Sequence, residues 1–501
     1  MRAPRRQFLR SATSTAALLG LGDLGFLSRL THVSAAEVDV KPEMVRFRPE
    51  IEPLVRLIEE TPRQKLLEEI GARIRRGASY RDVLAALQLA GVRNIQPRPI
   101  GFKFHAVLVV NSAHLASLAS PDSERWLPIF WALDHFKSSQ AQDVKEGDWT
   151  MASLDESKVP SADKARQAFI SAMDKWDEDD ADTAVAGLAR SASAHEIFEL
   201  FVKYGARDFR DIGHKAIYVA NSWRTLQCIG WQHSEPILRS LAYGLLDHGR
   251  DANPATSDLP ADRPGRRNWE LKDEIHDQWL AGKPNSDATR ELLQIVRDGS
   301  AADAAKNVVT LINRGVSPQS IWDAVFAGSG ELLMRQPGIR ALHAVTTSNA
   351  LHFAWENTRD DALRRYTLLQ AASFVPLFRG EVKGQTRIDE LEVTDKSKPA
   401  ASVEEIFSEI STDRQSAARK LFTHLNQTAN PKEFADAARL VLFFKGRDAH
   451  DYKFSSAVLE DWEHMTPGWR ERYLAASVFQ LRGSGGPDNE VVQRTRSALA
   501  G

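Results

Sequence analysis

Residues 51–74 read IEPLVRLIEETPRQKLLEEIGARI, and the placing of their apolar side chains decides the fold class. Leu54, Ile58, Leu66, Leu67, Ile70 and Ile74 keep one apolar stripe, with Arg and Glu on the opposite side. Apolar residues that return every three or four positions mark an amphipathic helix, because helical side chains come round every 3.6 residues. Residues 191–204, 287–312 and 402–425 show the same pattern. Strand-type alternation is scarce. Val107 to Val110 is the best local candidate, and it sits inside a longer helix-compatible run. The spacing predicts an all-α protein. Three breaks punctuate it: residues 250–267 are rich in Pro, Asp and Arg, 380–401 are charged with few apolar residues, and 483–488 are Gly-rich.

Working outward, the helical text repeats itself. A shift of 238 residues lays Arg76-Gly77-x-Ser79 on Arg314-Gly315-x-Ser317, Pro99 on Pro337, His105 on His343, Asn111 on Asn349 and His114 on His352. A middle copy begins Arg190-x-x-Ser193 and reaches His214, then Asn221. A fourth ends like the third: Arg472-Tyr473 follows His450 by the interval that separates Arg365-Tyr366 from His343. The lead histidines His105, His214, His343 and His450 are thus 109, 129 and 107 residues apart. Each unit reads as a helical hairpin, a histidine-headed helix and a closing helix. Units that cannot bury their own apolar face stack on one another. We therefore expect four related helical repeat units packed as an α-solenoid, an arc or a closed ring. Repeats 1 and 2 would occupy residues 37–267, and repeats 3 and 4 residues 268–501.

The lead histidines are the main candidate site. Imidazole suits iron, copper and zinc, and its ordinary pKa near 6.5 suits proton transfer at neutral pH. His105, His214, His343 and His450 are candidates both for catalysis and for holding a transition metal or haem. In a closed arrangement they could face one another; in an open arc they would line a concave face too far apart to share an ion. His105 and His114 lie about 180° apart round one helix, and no two histidines sit three or four apart, so any metal site must be assembled between units. The alternative role for each histidine is packing its helix against a neighbouring hairpin. Asn111, Asn221 and Asn349 could bind a cofactor or satisfy nearby backbone. His233 joins the catalytic candidates as part of the aromatic cluster at residues 223–233. Cys228, in the same cluster, reads as an inert buried thiol. The acidic run at 177–182 reads as solvated loop, and Asp134-His135 and Asp247-His248 point in different directions on a helix.

The N-terminus carries Arg5-Arg6-Gln7-Phe8-Leu9-Arg10, an apolar stretch from Ala16 to Leu30, and Val33-Ser34-Ala35-Ala36. That order is a twin-arginine signal peptide over residues 1–36, to be read by the twin-arginine translocation machinery and removed. The chain has 65 basic and 67 acidic residues, a net charge of −2, and the signal contains five Arg and one Asp, so the mature protein stands near −6. We expect a periplasmic or secreted protein without a membrane span. A chain this neutral is not a nucleic-acid binder working through a basic patch. One cysteine among 501 residues excludes internal disulfides and cysteine-built zinc sites. No Walker loop or dinucleotide-binding glycine motif appears.

Three segments come in an order that resembles the questin oxidase-like proteins: Gly230-Trp-Gln-His233-x-x-Pro-Ile-Leu-Arg-x-Leu-Ala-Tyr243-Gly, Leu342-His343-Ala-Val-Thr-Thr-Ser348, and Phe444-Lys445-Gly446-Arg447-Asp448. The resemblance covers most of the mature chain. It implies an all-helical fold and an oxygen-dependent oxidation of an aromatic polyketide, such as a Baeyer–Villiger-type ring cleavage. It carries over no catalytic residues. The functional expectation is an exported oxidoreductase acting on an organic substrate in a histidine-lined cavity. The alternative is a non-catalytic helical-repeat scaffold that binds a partner or a cell-envelope component.

Overall fold

The computed structural model describes residues 44–247, 252–382, 384–393, 399–428 and 431–500. The twin-arginine segment and His248 lie outside the described residues. Among the described residues, the chain forms 22 α-helices and no strand beyond two isolated bridges. The order of elements around each lead histidine is the same, three helices, a histidine-bearing helix and a closing helix, where the sequence suggested only a hairpin before the histidine. The first set is α1 (Glu52–Glu60), α2 (Arg63–Arg75), α3 (Tyr80–Asn94), α4 (His105–Leu118) and α5 (Leu127–Glu146). The second is α6 (Ala162–Lys175), α7 (Glu178–Ser191), α8 (Ala194–Gly205), α9 (His214–Ile229) and α10 (Ser234–Leu245). After α11 (Arg263–Leu271) come α12 (Ser286–Asp298), α13 (Ala301–Asn313), α14 (Pro318–Arg335), α15 (Ile339–Asn357) and α16 (Asp361–Phe378). The last set is α17 (Val403–Ile410), α18 (Arg414–Gln427), α19 (Lys432–Lys445), α20 (Ala449–Asp461) and α21 (Trp469–Ser477), followed by α22 (Glu490–Ala500).

The Arg-Gly-x-Ser motif is a helix stop followed by a helix start. Gly77 (φ 103°) and Gly315 (φ 83°) take the left-handed conformation that ends α2 and α13, open to glycine at no steric cost. Two residues later Ser79 and Ser317 cap α3 and α14 by accepting from the amides of Asp82 and Gln319, and Ser193 caps α8 in the same way. The pair turns the chain within three residues and brings each helix back beside its predecessor.

The histidine-bearing helices form the centre. α4 packs on α9, α9 on α15, α15 on α20, and α20 back on α4. Such a helix meets protein on nearly every side, so it carries no single apolar stripe. Buried Ala, Val, Ser and Thr keep its girth small: in α4, residues 105–114 are all buried. This explains the continuous apolar run at Val107–Val110, which belongs to a core helix. One apolar cluster runs from Val45 to Ala498. The chain closes on itself at its end, where α22 packs on α2 and α5, Arg494 binds Asp134 at 2.7 Å, and Arg75 donates to the Ala498 carbonyl.

Several expectations are corrected here. The break at 250–267 stops at Asp262, because Pro264 sits in the first turn of α11, where its missing N–H costs nothing. The boundary expected at residue 267 therefore falls inside a helix. The acidic run at 177–182 is a helix start rather than loop. Asp177 caps α7, Glu178, Asp179 and Asp180 occupy its positive first turn, and Asp182 binds Arg239 at 2.7 Å. Residues 51–74, 287–312 and 402–425 each divide into two helices. Among the described residues no helix is long and apolar enough to cross a membrane.

Gly71 tests the closure. A methyl group there would run into the Ala498 backbone carbonyl. Gly to Ala inside a helix normally stabilises by about 0.5–1 kcal/mol. With α22 seated on α2, Gly71→Ala should instead destabilise by about 1–3 kcal/mol. Denaturant titration checks this, and a rise in the midpoint would contradict the contact.

Candidate metal centre

The four lead histidines meet. His105 and His214 are the first residues of α4 and α9, His450 is the second of α20, and His343 is the fifth of α15. Neighbouring ring centroids lie 5.0 Å apart for His105–His214, 4.5 Å for His214–His343, 5.6 Å for His343–His450 and 4.4 Å for His450–His105. His214 Nε2 stands 3.0 Å from His105 Nε2 and 2.9 Å from His343 Nε2. One ligand atom from each of these three falls within 4.8 Å of the others. His105, His214 and His343 are buried, and His450 is 23% exposed. Close approach of the backbone helps: Gly101, at φ 150°, lies against the His214 ring.

Hydrogen bonds settle the tautomers of two members. His214 Nδ1 lies 2.7 Å from the Asp211 carbonyl, and His343 Nδ1 lies 2.8 Å from the Ile339 carbonyl. A carbonyl only accepts, so both Nδ1 atoms carry the proton and both Nε2 atoms present lone pairs. Two lone pairs then face each other at 2.9 Å, a repulsive contact that a cation between them would relieve. Fixing Nδ1–H on a carbonyl or carboxylate is also how metal-ligating histidines are oriented. His450 follows the carboxylate version, with Nδ1 2.7 Å from Asp448 Oδ1 and a buried Nε2 that has no hydrogen-bond partner among the described residues. Donors about 2.0–2.1 Å from one ion stand roughly 2.8–3.4 Å apart when they subtend 90–110° there. The observed separations fall at the short end of that range.

A proton is a poor substitute for the metal here. Burial, and then the charge of Lys453, push His105 and His214 well below the usual imidazole range and His343 down to about 3. Lys453 lies one turn beyond His450, fully enclosed, with no hydrogen-bond partner for Nζ among the described residues. Burial, only partly opposed by the charge of Asp448, brings its amine down to about 7. The centre therefore pairs neutral imidazoles with an amine that can hold or release a proton near neutrality. Haem does not fit. The neighbouring rings stand only 4.4–5.6 Å apart between centroids, which leaves no space for a macrocycle among them.

The other candidates lie elsewhere. His233 stands in a short 3₁₀ turn (Trp231–His233) near Arg48 and Arg81, whose charges add to burial in lowering its pKa. Asn221 donates to the Leu108 carbonyl at 2.9 Å and Asn111 lies 3.5 Å from Asn221, so these two tie α4 to α9. Asn349 donates to Glu460 and Asp461, both at 2.7 Å. Burial raises the pKa of the Cys228 thiol, as an inert thiol requires. Asp134 is held by Arg63 and Arg494, while His135 stacks on Trp131. Two surface clefts of about 290 and 420 Å³ are lined by other residues. Sequence reasoning missed Lys453; its signal was a lysine between Tyr452 and Phe454, three residues after a lead histidine. No family model matches the chain, and no curated protein or solved structure matches it.

The shifts fix the sign of a pH effect. Besides His343, burial holds His114, His135 and His352 down to about 4. Below pH 6.5 the unfolded chain takes up protons that the folded chain refuses until about pH 4, so folding weakens as pH falls through that window. Metal-free protein should lose melting temperature steadily from pH 6.5 to 4.5; a flat profile would contradict the neutral cluster. For Lys453 the penalty of burying charge is full below its folded value of about 7 and fades as pH rises toward the unfolded value near 10.4. Lys453→Met should therefore raise the melting temperature more at pH 6 than at pH 9.

Proposed function

We propose that His105, His214, His343 and His450 hold one transition-metal ion and that the protein is an exported, metal-dependent oxidoreductase. The observation that carries this reading is the face-to-face lone pairs of His214 and His343, fixed by their carbonyl-bound Nδ1 protons. An all-imidazole donor set suits copper, iron, zinc or nickel, and the ion would supply Lewis acidity or a redox couple. The chain supplies the rest. Carbonyl and carboxylate partners orient the imidazoles, burial keeps His105, His214 and His343 neutral and excludes bulk water from them, and Lys453 can store a proton beside them. His450 is the most exposed member, so approach from outside is placed on its side of the cluster.

The twin-arginine segment supports export of a protein that folds, and takes up its ion, before translocation. The resemblance to questin oxidase-like proteins supports an aromatic organic substrate with dioxygen as oxidant. The matching order of elements in the four sets supports four copies of one ancestral unit closed into a ring. A second reading, a non-catalytic scaffold in which the ion only joins four helices, is favoured by the near-complete burial of three ligands.

Metal analysis and oxygen uptake separate these readings. In the oxidoreductase reading, the purified protein holds a stoichiometric ion at this centre, consumes oxygen with an aromatic polyketide, and loses both properties in His214→Gln, while His233→Gln keeps both. Loss of the ion and of thermal stability, with no oxygen uptake in the parent protein, points to the scaffold. An unchanged metal content in His214→Gln overturns the centre itself.

A further inference from the structure

At the other end of α15 a second cluster of ligand atoms converges, independent of the four-histidine centre. His352 lies nine residues beyond His343, about 13 Å along the helix axis. Glu356 follows one turn later, and the 3₁₀ turn Trp462–His464 brings His464 beside both. The two oxygens of Glu356 divide between the imidazoles: Oε2 lies 3.7 Å from His352 Nδ1, and Oε1 lies 3.3 Å from His464 Nδ1. The rings are 4.8 Å apart between centroids. Both separations are longer than a good N–H···O bond of about 2.7–3.2 Å; the 3.3 Å one matches that of two donors on one ion, and the 3.7 Å one would have to close by a few tenths of an ångström.

The surroundings differ from those of the first centre. His352 is buried, walled by Trp322 edge-on at 4.7 Å and by Trp355 at 5.9 Å. Glu356 and His464 are 38% and 35% exposed, which leaves one side of the cluster to solvent. Of the other charges nearby, Arg224 is engaged by Glu460 at 2.6 Å, and buried Asp461 accepts from Asn349 and from the Tyr473 hydroxyl. Glu356 supplies the carboxylate of the cluster, and its contact with His464 raises the pKa of that imidazole, so a cation bound here would replace a proton. Packing does not demand this set. At the matching position of the first unit, His114 bonds the Tyr80 hydroxyl at 3.0 Å, and its i+4 residue is Leu118.

We infer that His352, Glu356 and His464 form a second metal site, for a divalent transition-metal ion with open coordination positions. Two histidines and one carboxylate are the donor set of mononuclear iron(II) and zinc sites that keep places for water or substrate. Where the four-histidine centre is mostly buried, this one is open to solvent on one side.

Cobalt(II) titration of the full-length protein tests it. The wild-type chain should take up two equivalents. Glu356→Gln and His464→Gln, both substitutions at partly exposed side chains, should each lose one equivalent or bind it at least tenfold more weakly, with unchanged circular dichroism. His214→Gln should lose the other equivalent and keep this one. Wild-type cobalt content and affinity in both Glu356→Gln and His464→Gln would reduce the cluster to an ion pair and overturn the inference. Failure of His214→Gln alone to lose cobalt would count against the four-histidine centre and leave this site standing.

Discussion

Everything at the centre of this protein depends on four helices that can approach one another only if their facing imidazoles tolerate contact at about 3 Å. Backbone carbonyls hold the protons of His214 and His343 on the far side of each ring, so lone pairs face lone pairs. Burial and Lys453 then work against relieving the contact with a proton. Such a cluster is costly to leave without a cation, because lone pairs of buried imidazoles face each other with no donor between them. The same features that make it unfavourable alone make it a preorganised donor set.

The ring of helices is arranged around the histidines rather than around helix ends. His105 and His214 open their helices, whereas His343 lies a full turn inside α15, yet the rings reach the same level. The longer interval between the second and third histidines is absorbed outside the ring, by the irregular chain before α11 and by α11 itself. Closure then falls to the last helix. α22 returns to α2 through Gly71, where only the missing side chain lets the backbones approach, and Arg494 completes the pairing of Asp134.

Much of this was legible in the sequence, for identifiable reasons. Helical periodicity is a local property, so the all-α class follows from stretches such as residues 51–74. The Arg-Gly-x-Ser motif is also local: a left-handed glycine and a serine cap do the same work wherever they occur. The histidine register was readable because the intervals between the four histidines can be counted along the chain. The boundary at 267 was misplaced because proline reads as a breaker, while its place in a first turn depends on where the helix begins. Lys453 looked like a surface residue because burying a lysine goes against composition, and only the packing of α4 and α20 shows that it is enclosed. The spacing of His352 and Glu356 was readable at i, i+4, but their third partner is 108 residues downstream of Glu356 in a turn of three residues.

The two clusters on α15 show how one helix can build opposite environments. At His343 the helix lies inside the ring, where its neighbours add burial and the carboxylate at hand, Asp448, is engaged on His450 Nδ1. At His352 the bundle is ending, so the helix faces aromatic side chains on one side and water on the other. A carboxylate can remain charged there because solvent still reaches it. Placing the more buried, all-nitrogen set in the middle and the carboxylate-bearing set at the rim follows from the cost of burying charge. The first unit bears this out in its own way: its matching rim histidine meets a tyrosine hydroxyl, a neutral partner for a site with no open face.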